Sequence, residues 1–213
     1  MAAGRGYHVD GANKLLIKHP HTGLTLLQHA LRAFEGKKVT VVVGYQSIQV
    51  MQDYPQLDYV LNEDWALTNN ASSLGFSLTE EASYVVSGDM VFSQELIREL
   101  DRGPEDLVLV EPRENRTLSA VHCIVQNDIV QETYQGPVRS ASHPEAIGLF
   151  KISSPSILRE WKRQSLKHSN MFVGQTLPCD IKPISAHPLG EHEFVEINTP
   201  TDYLNLLRWG ARS

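Results

Sequence analysis

Residues 39–45 read VTVVVGY, a run of β-branched residues that ends in glycine. A strand buried on both faces of a parallel sheet has this nearly continuous apolar pattern. Similar runs follow at residues 84–87 (YVVS) and 107–112 (LVLVEP). Between the runs, residues 24–35 and 93–103 space their apolar side chains as amphipathic helices do. Alternating strands and helices predict an α/β fold with a Rossmann-like, doubly wound and mostly parallel sheet.

The pattern changes in the second half of the chain. Residues 117–135 predict a β-hairpin with its turn at residues 126–128, and residues 145–153 (EAIGLFKIS) predict a further strand. Ser154-Pro155 places an N-cap before a proline at the first helical position. Residues 199–202 (TPTD) predict a capping box before the last helix. The α/β core is therefore expected to carry an inserted β-hairpin region.

Composition excludes several classes of protein. The 213 residues carry 19 basic and 25 acidic side chains, a formal net charge of −6, and the basic residues form no long run. This balance argues against a nucleic-acid partner, and the short apolar runs argue against a membrane span. The two cysteines, Cys123 and Cys179, favour reduced thiols and a cytoplasmic location. No linker divides the chain, so we expect residues 1–213 to form a single domain; a homodimer is left open.

The chain begins with MAAGRGYHVDGANKLLIK, residues 1–18. Gly4 and Gly6 flank Arg5, and Lys14 follows eight residues after the second glycine. Glycine lets a backbone approach a ligand closely, and successive N–H groups in such a turn form a nest for anions. Arg5 and Lys14 would add positive charge. This layout is typical of a polyphosphate-binding loop, although a surface turn has a similar composition.

Polar residues lie where predicted strands end. Asp89 follows Gly88 directly after a strand, and ligands of open α/β sheets bind at such ends, so Asp89 is either an Mg²⁺ ligand or a turn aspartate. Glu196 and Asn198 follow another strand and can supply a second oxygen ligand, although Asn198 can equally form an Asx turn. A third polar group can hydrogen-bond a nucleotide or cap a helix; it comprises Thr68, Asn69, Asn70, Ser72 and Ser73.

Taken together, these segments resemble a known family. The motifs MAAGRG with KLL, VVVGY, TNNASSL, VSGDMVF, EAIGLF and VEINTPTDY occur in an order and spacing similar to those of the MobA-like nucleotidyltransferases. The similarity is greatest to the branch of choline-phosphate cytidylyltransferases and of sugar-phosphate or phosphonate nucleotidylyltransferases. It runs from residue 2 to about residue 207. The resemblance implies a fold of the nucleotide-diphospho-sugar transferase type.

The resemblance also implies an activity. A nucleoside monophosphate, with CMP favoured, would pass from a nucleoside triphosphate to a small phosphate or phosphonate, with release of pyrophosphate. Lys14 and Arg5 are the implied catalytic cations, and Asp89, Glu196 and Asn198 the implied ligands of Mg²⁺. The implied nucleotide-binding residues are Ala2, Ala3, Gly4, Arg5, Gly6, Asn69, Asn70, Ser72 and Gly88.

The sequence departs from the family pattern at four places. The apolar strand that normally precedes the glycine loop is missing before residue 1, so either the chain start is trimmed or a central strand is absent. Tyr7-His8 replaces a Ser/Thr-Arg pair, and Asn198 stands where aspartate is common. His122 and Tyr134 occupy places where lysines are expected to face the acceptor. These departures motivate an alternative hypothesis, a catalytically weakened nucleotide-binding or regulatory module on the same fold.

Overall fold

The computed structural model describes residues 3–4, 13–112 and 119–206. The helices are α1 (Leu26–Ala33), α2 (Ser47–Asp53), α3 (Asn70–Ser77), α4 (Gln94–Arg102), α5 (Pro155–Lys167) and α6 (Pro200–Leu206). The strands are β1 (Thr40–Val43), β2 (Asp58–Leu61), β3 (Ser83–Val86), β4 (Met90–Phe92), β5 (Leu107–Glu111), β6 (Val121–Gln126), β7 (Ile129–Gln135), β8 (Glu145–Ile152), β9 (Ser185–Pro188) and β10 (Phe194–Glu196). Short 3-10 helices cover Lys14–Leu16 and Val173–Thr176.

The chain divides into two compact units. The first unit comprises Met1–Leu67, Ser87–Arg102 and Glu191–Ser213, and the second comprises Thr68–Val86 and Gly103–Gly190. The predicted alternation of helices and strands is confirmed in the described residues. No helix of the described residues is long and apolar enough to cross a membrane.

The first unit is built on two pairs of strands. β1 and β2 pair in parallel, with Thr40 opposite Asp58, and β4 and β10 pair antiparallel, with Met90 opposite Glu196. Helix α1 contributes to the packing of both pairs, because successive leucines face different clusters. Leu27 joins the apolar cluster that includes residues 41 and 43 of β1, and Leu26 joins the cluster of β4 and β10.

The second unit contains a six-stranded sheet in the order β3-β8-β5-β9-β7-β6. Within it β5 and β9 are parallel, and the other pairings are antiparallel. The apolar runs of the sequence predicted burial correctly, since β5 is buried over Leu107–Val110. Such runs report apolar contact on both faces of a strand and carry no information about the direction of its neighbour, so the mixed directions could not be read from them.

The predicted hairpin is β6 and β7, joined at Asn127 and Asp128. These two residues have φ angles of 51° and 60°, in the left-handed region. Two consecutive residues of this conformation match the right-handed twist of the flanking strands, and asparagine and aspartate tolerate it better than most residues. The turn predicted at residues 126–128 is therefore confirmed.

The two cysteines are free thiols in the second unit. Burial raises the pKa of Cys123 to about 12. The pKa of Cys179 is likewise raised to about 12, by burial and then by the carboxylates of Asp180 and Glu132. Both side chains are therefore protonated near neutral pH and serve as packing groups rather than nucleophiles.

Gly44, directly after β1, is required by close packing. A β-carbon at this position would lie 2.6 Å from Cβ of Trp65 and 2.7 Å from the carbonyl oxygen of Ala3. We therefore expect Gly44→Ala to lower the free energy of unfolding by about 2 kcal/mol, measured by urea denaturation. Gly4→Ala is the matched control, since within the described ranges its β-carbon would meet no atom closer than 4 Å. Equal unfolding midpoints for the two variants would show that the packing at Gly44 adjusts freely.

Candidate active site

Lys14, Asp89 and Asn198 meet in the first unit, although they lie far apart in the sequence. The Nζ atom of Lys14 donates to Oδ2 of Asp89 at 2.9 Å and to Oδ1 of Asn198 at 2.7 Å. The side chains of Lys14 and Asp89 are 22% and 24% exposed, so solvent reaches both ends of the ion pair. The structure thus brings together the predicted catalytic lysine and two of the three predicted metal ligands around one positive charge.

The pairing of β4 with β10 places Asp89 close to Asn198. Asp89 immediately precedes β4 and Asn198 lies two residues beyond β10, and the two strands run antiparallel. The backbone N–H of Ile197 donates to the carbonyl oxygen of Asp89 at 2.9 Å, which extends the ladder past the ends of both strands. The strand predicted at residues 84–87 was expected to end at Gly88-Asp89-Met90, and β4, which begins at Met90, was not predicted. The third predicted ligand, Glu196, lies opposite Met90 in this ladder.

Both ends of the predicted phosphate loop are tied to one residue, Tyr45, just beyond the carboxyl end of β1. The carbonyl oxygen of Ala3 accepts from the backbone N–H of Tyr45 at 2.8 Å. Nδ2 of Asn13 donates to the carbonyl oxygen of Tyr45 at 3.0 Å. The loop therefore starts and ends where ligands of open α/β sheets bind. Of its predicted binding residues, Ala3 and Gly4 are described, whereas Ala2, Arg5 and Gly6 lie outside the described residues, as does the Tyr7-His8 substitution.

Asn13 positions Lys14 and was missed by sequence reasoning. Its Oδ1 accepts from the backbone N–H of Leu15 at 3.1 Å, which caps the 3-10 helix of Lys14–Leu16, and its side chain is buried. Leu15 packs in the apolar cluster with Leu27 and Val41. The backbone of Lys14 is thus held on both sides. An asparagine directly before a helical turn is a preferred N-cap and could have signalled this role.

Asp202 fixes the backbone that carries Asn198. Its Oδ2 accepts from the backbone N–H groups of Asn198 and Thr199 at 2.9 and 2.7 Å, and from Oγ1 of Thr199 at 2.9 Å. The backbone N–H of Asp202 donates back to Oγ1 of Thr199 at 3.3 Å, so the predicted capping box is confirmed. The turn into α6 is closed by Asp202, and the amide oxygen of Asn198 is left to accept from Lys14.

Removing this cap should cost stability. We expect Asp202→Ala to lower the free energy of unfolding by about 1 kcal/mol, because three donors lose a common acceptor at the start of α6. Asp202→Asn keeps one acceptor oxygen and should cost less, since only the charge is lost. Urea denaturation of the two variants measures the difference. A larger loss for Asp202→Asn than for Asp202→Ala would contradict the capping role.

The predicted nucleotide-binding residues of the TNNASSL motif belong to the second unit. Asn69 caps α3 with its Oδ1, which accepts from the N–H of Asn70 at 2.7 Å. Oδ1 of Asn70 accepts from the N–H of Val173 at 2.8 Å. Ser72 is 2% exposed, within the first turn of α3. The structure therefore assigns capping and loop-bracing contacts to this motif, and its contact with a nucleotide stays a prediction.

Asp89 and Asn198 form a donor set that suits magnesium. Magnesium takes oxygen ligands, typically one or two protein groups together with substrate phosphates and water. The carboxylate of Asp89 and the amide oxygen of Asn198 already share one cation, the ammonium of Lys14. Across the described ranges, no cluster of three or more histidine, cysteine, aspartate or glutamate side chains could hold a metal ion. A metal at this site would therefore take most of its ligands from substrate and water.

Comparison with known proteins assigns the family. The sequence profile of the MobA-like NTP transferase domain matches residues 1–171. The chain belongs to the MobA-like NTP transferase family. The predicted resemblance is thereby confirmed, and the protein is a member of a nucleotidyltransferase family. No curated protein matches the chain by sequence.

Solved structures show the fold of this family member. CTP:phosphocholine cytidylyltransferase from Streptococcus pneumoniae has a TM-score of 0.73 at 17% identity, over 97% of this chain and 95% of that chain. The inositol-1-phosphate CTP transferase from T. maritima has a TM-score of 0.73 at 16% identity, over 98% and 94%. A UDP-glucose pyrophosphorylase complexed with UDP-glucose has a TM-score of 0.75 at 13% identity, over 97% and 95%. The predicted fold, of the nucleotide-diphospho-sugar transferase type, is confirmed.

Proposed function

We propose that this protein is a cytoplasmic, Mg²⁺-dependent cytidylyltransferase that transfers CMP from CTP to a small phosphate or phosphonate acceptor and releases pyrophosphate. The observation that carries the proposal is the convergence of Lys14, Asp89 and Asn198. The choice of CTP is supported by two of the similar structures, whose names specify CTP as the donor. The cytoplasmic location is supported by the two free thiols.

The reaction needs positioning and positive charge rather than a protein nucleophile. An oxygen of the acceptor phosphate or phosphonate attacks the α-phosphorus of CTP and forms a new P–O bond. The bond between the α-phosphorus and the bridging oxygen breaks, and pyrophosphate leaves with the electron pair. The ammonium of Lys14 stabilises the negative charge that the α-phosphate oxygens carry in the transition state. Because Asn13 and Leu15 hold the backbone of Lys14, the side chain that carries this charge extends from a fixed point of the chain.

Asp89 and Asn198, with Glu196 at the end of β10, are the residues that would hold Mg²⁺. When bound, the metal neutralises charge on the phosphate oxygens of the nucleotide. Asn198 contributes an amide oxygen without charge, so we expect the protein alone to bind the metal more weakly than it would with an aspartate at position 198. The negative phosphates of the nucleotide then supply much of the attraction.

The backbone around Gly4 and Gly88 is proposed to bind the triphosphate. Among the described residues, no atom lies within 4 Å of the position that a β-carbon on Gly4 would take, and we propose that a phosphate approaches the backbone there. Gly88 lies in the turn that carries Asp89. We assign the remaining loop contacts to Ala2, Ala3, Arg5 and Gly6, with Arg5 as a second catalytic cation, and the nucleotide or acceptor contacts of the second unit to Asn69, Asn70 and Ser72.

The hairpin of β6 and β7 does not indicate which chemical group is attached to the phosphate or phosphonate of the acceptor. His122 and Tyr134, which stand where family members are expected to place lysines, have structural partners. Nε2 of His122 lies 3.1 Å from the carbonyl oxygen of Gly136, and the hydroxyl of Tyr134 lies 2.9 Å from Nδ1 of His143. Both side chains are buried. We therefore propose a phosphate or phosphonate acceptor without naming the group attached to it.

The proposal is tested by pyrophosphate release. Purified protein is incubated with Mg²⁺, each of CTP, UTP, GTP and ATP in turn, and a pool of small phosphates and phosphonates. We expect release that depends on the acceptor pool and is fastest with CTP. Release with another nucleotide would retain the enzyme class and correct the base. Folded protein that releases no pyrophosphate with any nucleotide would contradict the proposal and favour the weakened binding module, for which CTP titration is the next measurement.

A further inference from the structure

The side-chain oxygens of Asp89 and Asn198, which we assign as metal ligands, already accept hydrogen bonds from the ammonium of Lys14. We propose that the Lys14 ammonium and the divalent metal ion compete for Asp89 and Asn198, so that metal entry releases Lys14 to the triphosphate; this inference rests on the proposed function. The competition is a property of the nucleotide-free protein. It makes metal binding and nucleotide binding depend on each other.

Geometry makes the two occupants mutually exclusive. Lys14 Nζ lies 2.9 Å from Oδ2 of Asp89 and 2.7 Å from Oδ1 of Asn198, and these are full hydrogen-bond contacts. A magnesium ion lies about 2.0–2.1 Å from its ligand oxygens. An ion bound to the same two oxygens would therefore sit within a few ångströms of the ammonium, where two positive charges repel strongly. Lys14 must leave before the metal can take both oxygens.

The exchange needs movement of one side chain only. The backbone on either side of Lys14 is held by the cap of Asn13 and by the burial of Leu15. The lysine stem has four flexible carbons, so the ammonium can move to a phosphate while the 3-10 helix stays in place. The partly exposed ion pair gives the ammonium room to leave.

Linkage follows from this exchange. Without nucleotide, a metal ion must displace Lys14 and lose the free energy of that ion pair, so metal affinity is reduced. A bound triphosphate gives Lys14 a new anionic partner and leaves Asp89 and Asn198 to the metal. Because such coupling is reciprocal, bound metal also strengthens nucleotide binding.

Lys37 offers a matched control within the same unit. Its Nζ donates to both carboxylate oxygens of Asp101, at 2.8 and 2.9 Å. Lys14→Met and Lys37→Met each remove one positive charge and break one lysine–aspartate pair. Lys14→Met frees Asp89, a proposed metal ligand, whereas Lys37→Met frees Asp101, which has no proposed metal role. The comparison therefore separates competition at the metal site from the change in net charge.

The test is Mn²⁺ titration of nucleotide-free protein, followed by electron paramagnetic resonance. Mn²⁺ favours the same oxygen ligands as Mg²⁺. We expect Lys14→Met to bind Mn²⁺ about fivefold more tightly than wild type, which corresponds to the upper range of a surface ion pair. Lys37→Met should match wild type, and Lys14→Met combined with Asp89→Asn should lose the gain.

Three results would overturn the inference. The first is that Lys14→Met binds Mn²⁺ no more tightly than wild type. The second is that Lys37→Met gains as much Mn²⁺ affinity as Lys14→Met. The third is that the gain in Mn²⁺ affinity persists when Lys14→Met is combined with Asp89→Asn. The titration contains no nucleotide or acceptor and reads bound metal directly. A failed pyrophosphate assay beside the expected Mn²⁺ titration would therefore contradict the proposed reaction and support the competition. Pyrophosphate release beside a failed titration would support the reaction and contradict the competition.

Discussion

Asp89→Ala should lower kcat/KM for CTP by at least about a hundredfold at a fixed, sub-saturating Mg²⁺ concentration. The substitution removes the carboxylate that accepts from Lys14 next to the amide oxygen of Asn198. The metal then loses a charged protein ligand, and Lys14 loses its ion-pair partner in the free protein. Initial rates of pyrophosphate release, measured over a series of Mg²⁺ concentrations, give the effect.

Little of this loss should come from unfolding. The backbone carbonyl of Asp89, which accepts from Ile197, is unchanged by the substitution. The lost ion pair is partly exposed and contributes about 1 kcal/mol or less. Asp101→Ala is the matched control, because it also removes an aspartate paired with a lysine in the first unit and should keep full activity. Wild-type turnover by Asp89→Ala at every Mg²⁺ concentration would remove Asp89 from the metal site.

Lys14→Met should lower kcat by about a hundredfold, because the negative charge on the α-phosphate would lose the cation that we propose stabilises it in the transition state. The metal dependence of the remaining turnover at saturating CTP should stay close to that of wild type. With nucleotide bound, Lys14 has already left Asp89 and Asn198, so its removal changes nothing at the metal. Measurement of kcat against Mg²⁺ concentration separates the two effects.

Lys37→Met supplies the control for this experiment and should leave kcat unchanged. Its ammonium pairs with Asp101 and has no proposed role in the reaction. If Lys14→Met turned over CTP as fast as Lys37→Met, Lys14 would have no part in the chemistry. A fall in both variants would instead show that net charge governs the rate.

The fold could largely be predicted because its signals are local. The apolar run of β1, the capping box of Asp202, and the turn at Asn127 and Asp128 each depend on neighbouring residues. Strand β4 was missed because three residues are too few for a period to be read. The parallel or antiparallel directions of neighbouring strands could not be predicted either, because an apolar run indicates burial and not strand direction.

The sequence predicted the residues of the candidate site but not the hydrogen bonds that join them. Family resemblance named Asp89 and Asn198 as ligands of one metal ion and Lys14 as a catalytic cation, without a contact between the lysine and these ligands. Their convergence depends on the antiparallel pairing of β4 with β10, which no local sequence pattern predicts. The occupation of both ligand oxygens by Lys14 is likewise a property of the folded structure. The support from Asn13 carried a local signal, an asparagine before a helical turn, that a closer reading of caps would detect.

Phosphorus NMR of a reaction containing CTP, Mg²⁺ and the acceptor pool tests the central claim most directly, because it observes the bond that forms. The proposal predicts signals of pyrophosphate together with those of a new linkage between the CTP α-phosphorus and the acceptor phosphate or phosphonate. Both sets of signals should be absent with Asp89→Ala over the same time. Unchanged CTP, or CMP and pyrophosphate without a new linkage, would contradict the assignment of this protein as a nucleotidyltransferase that uses CTP.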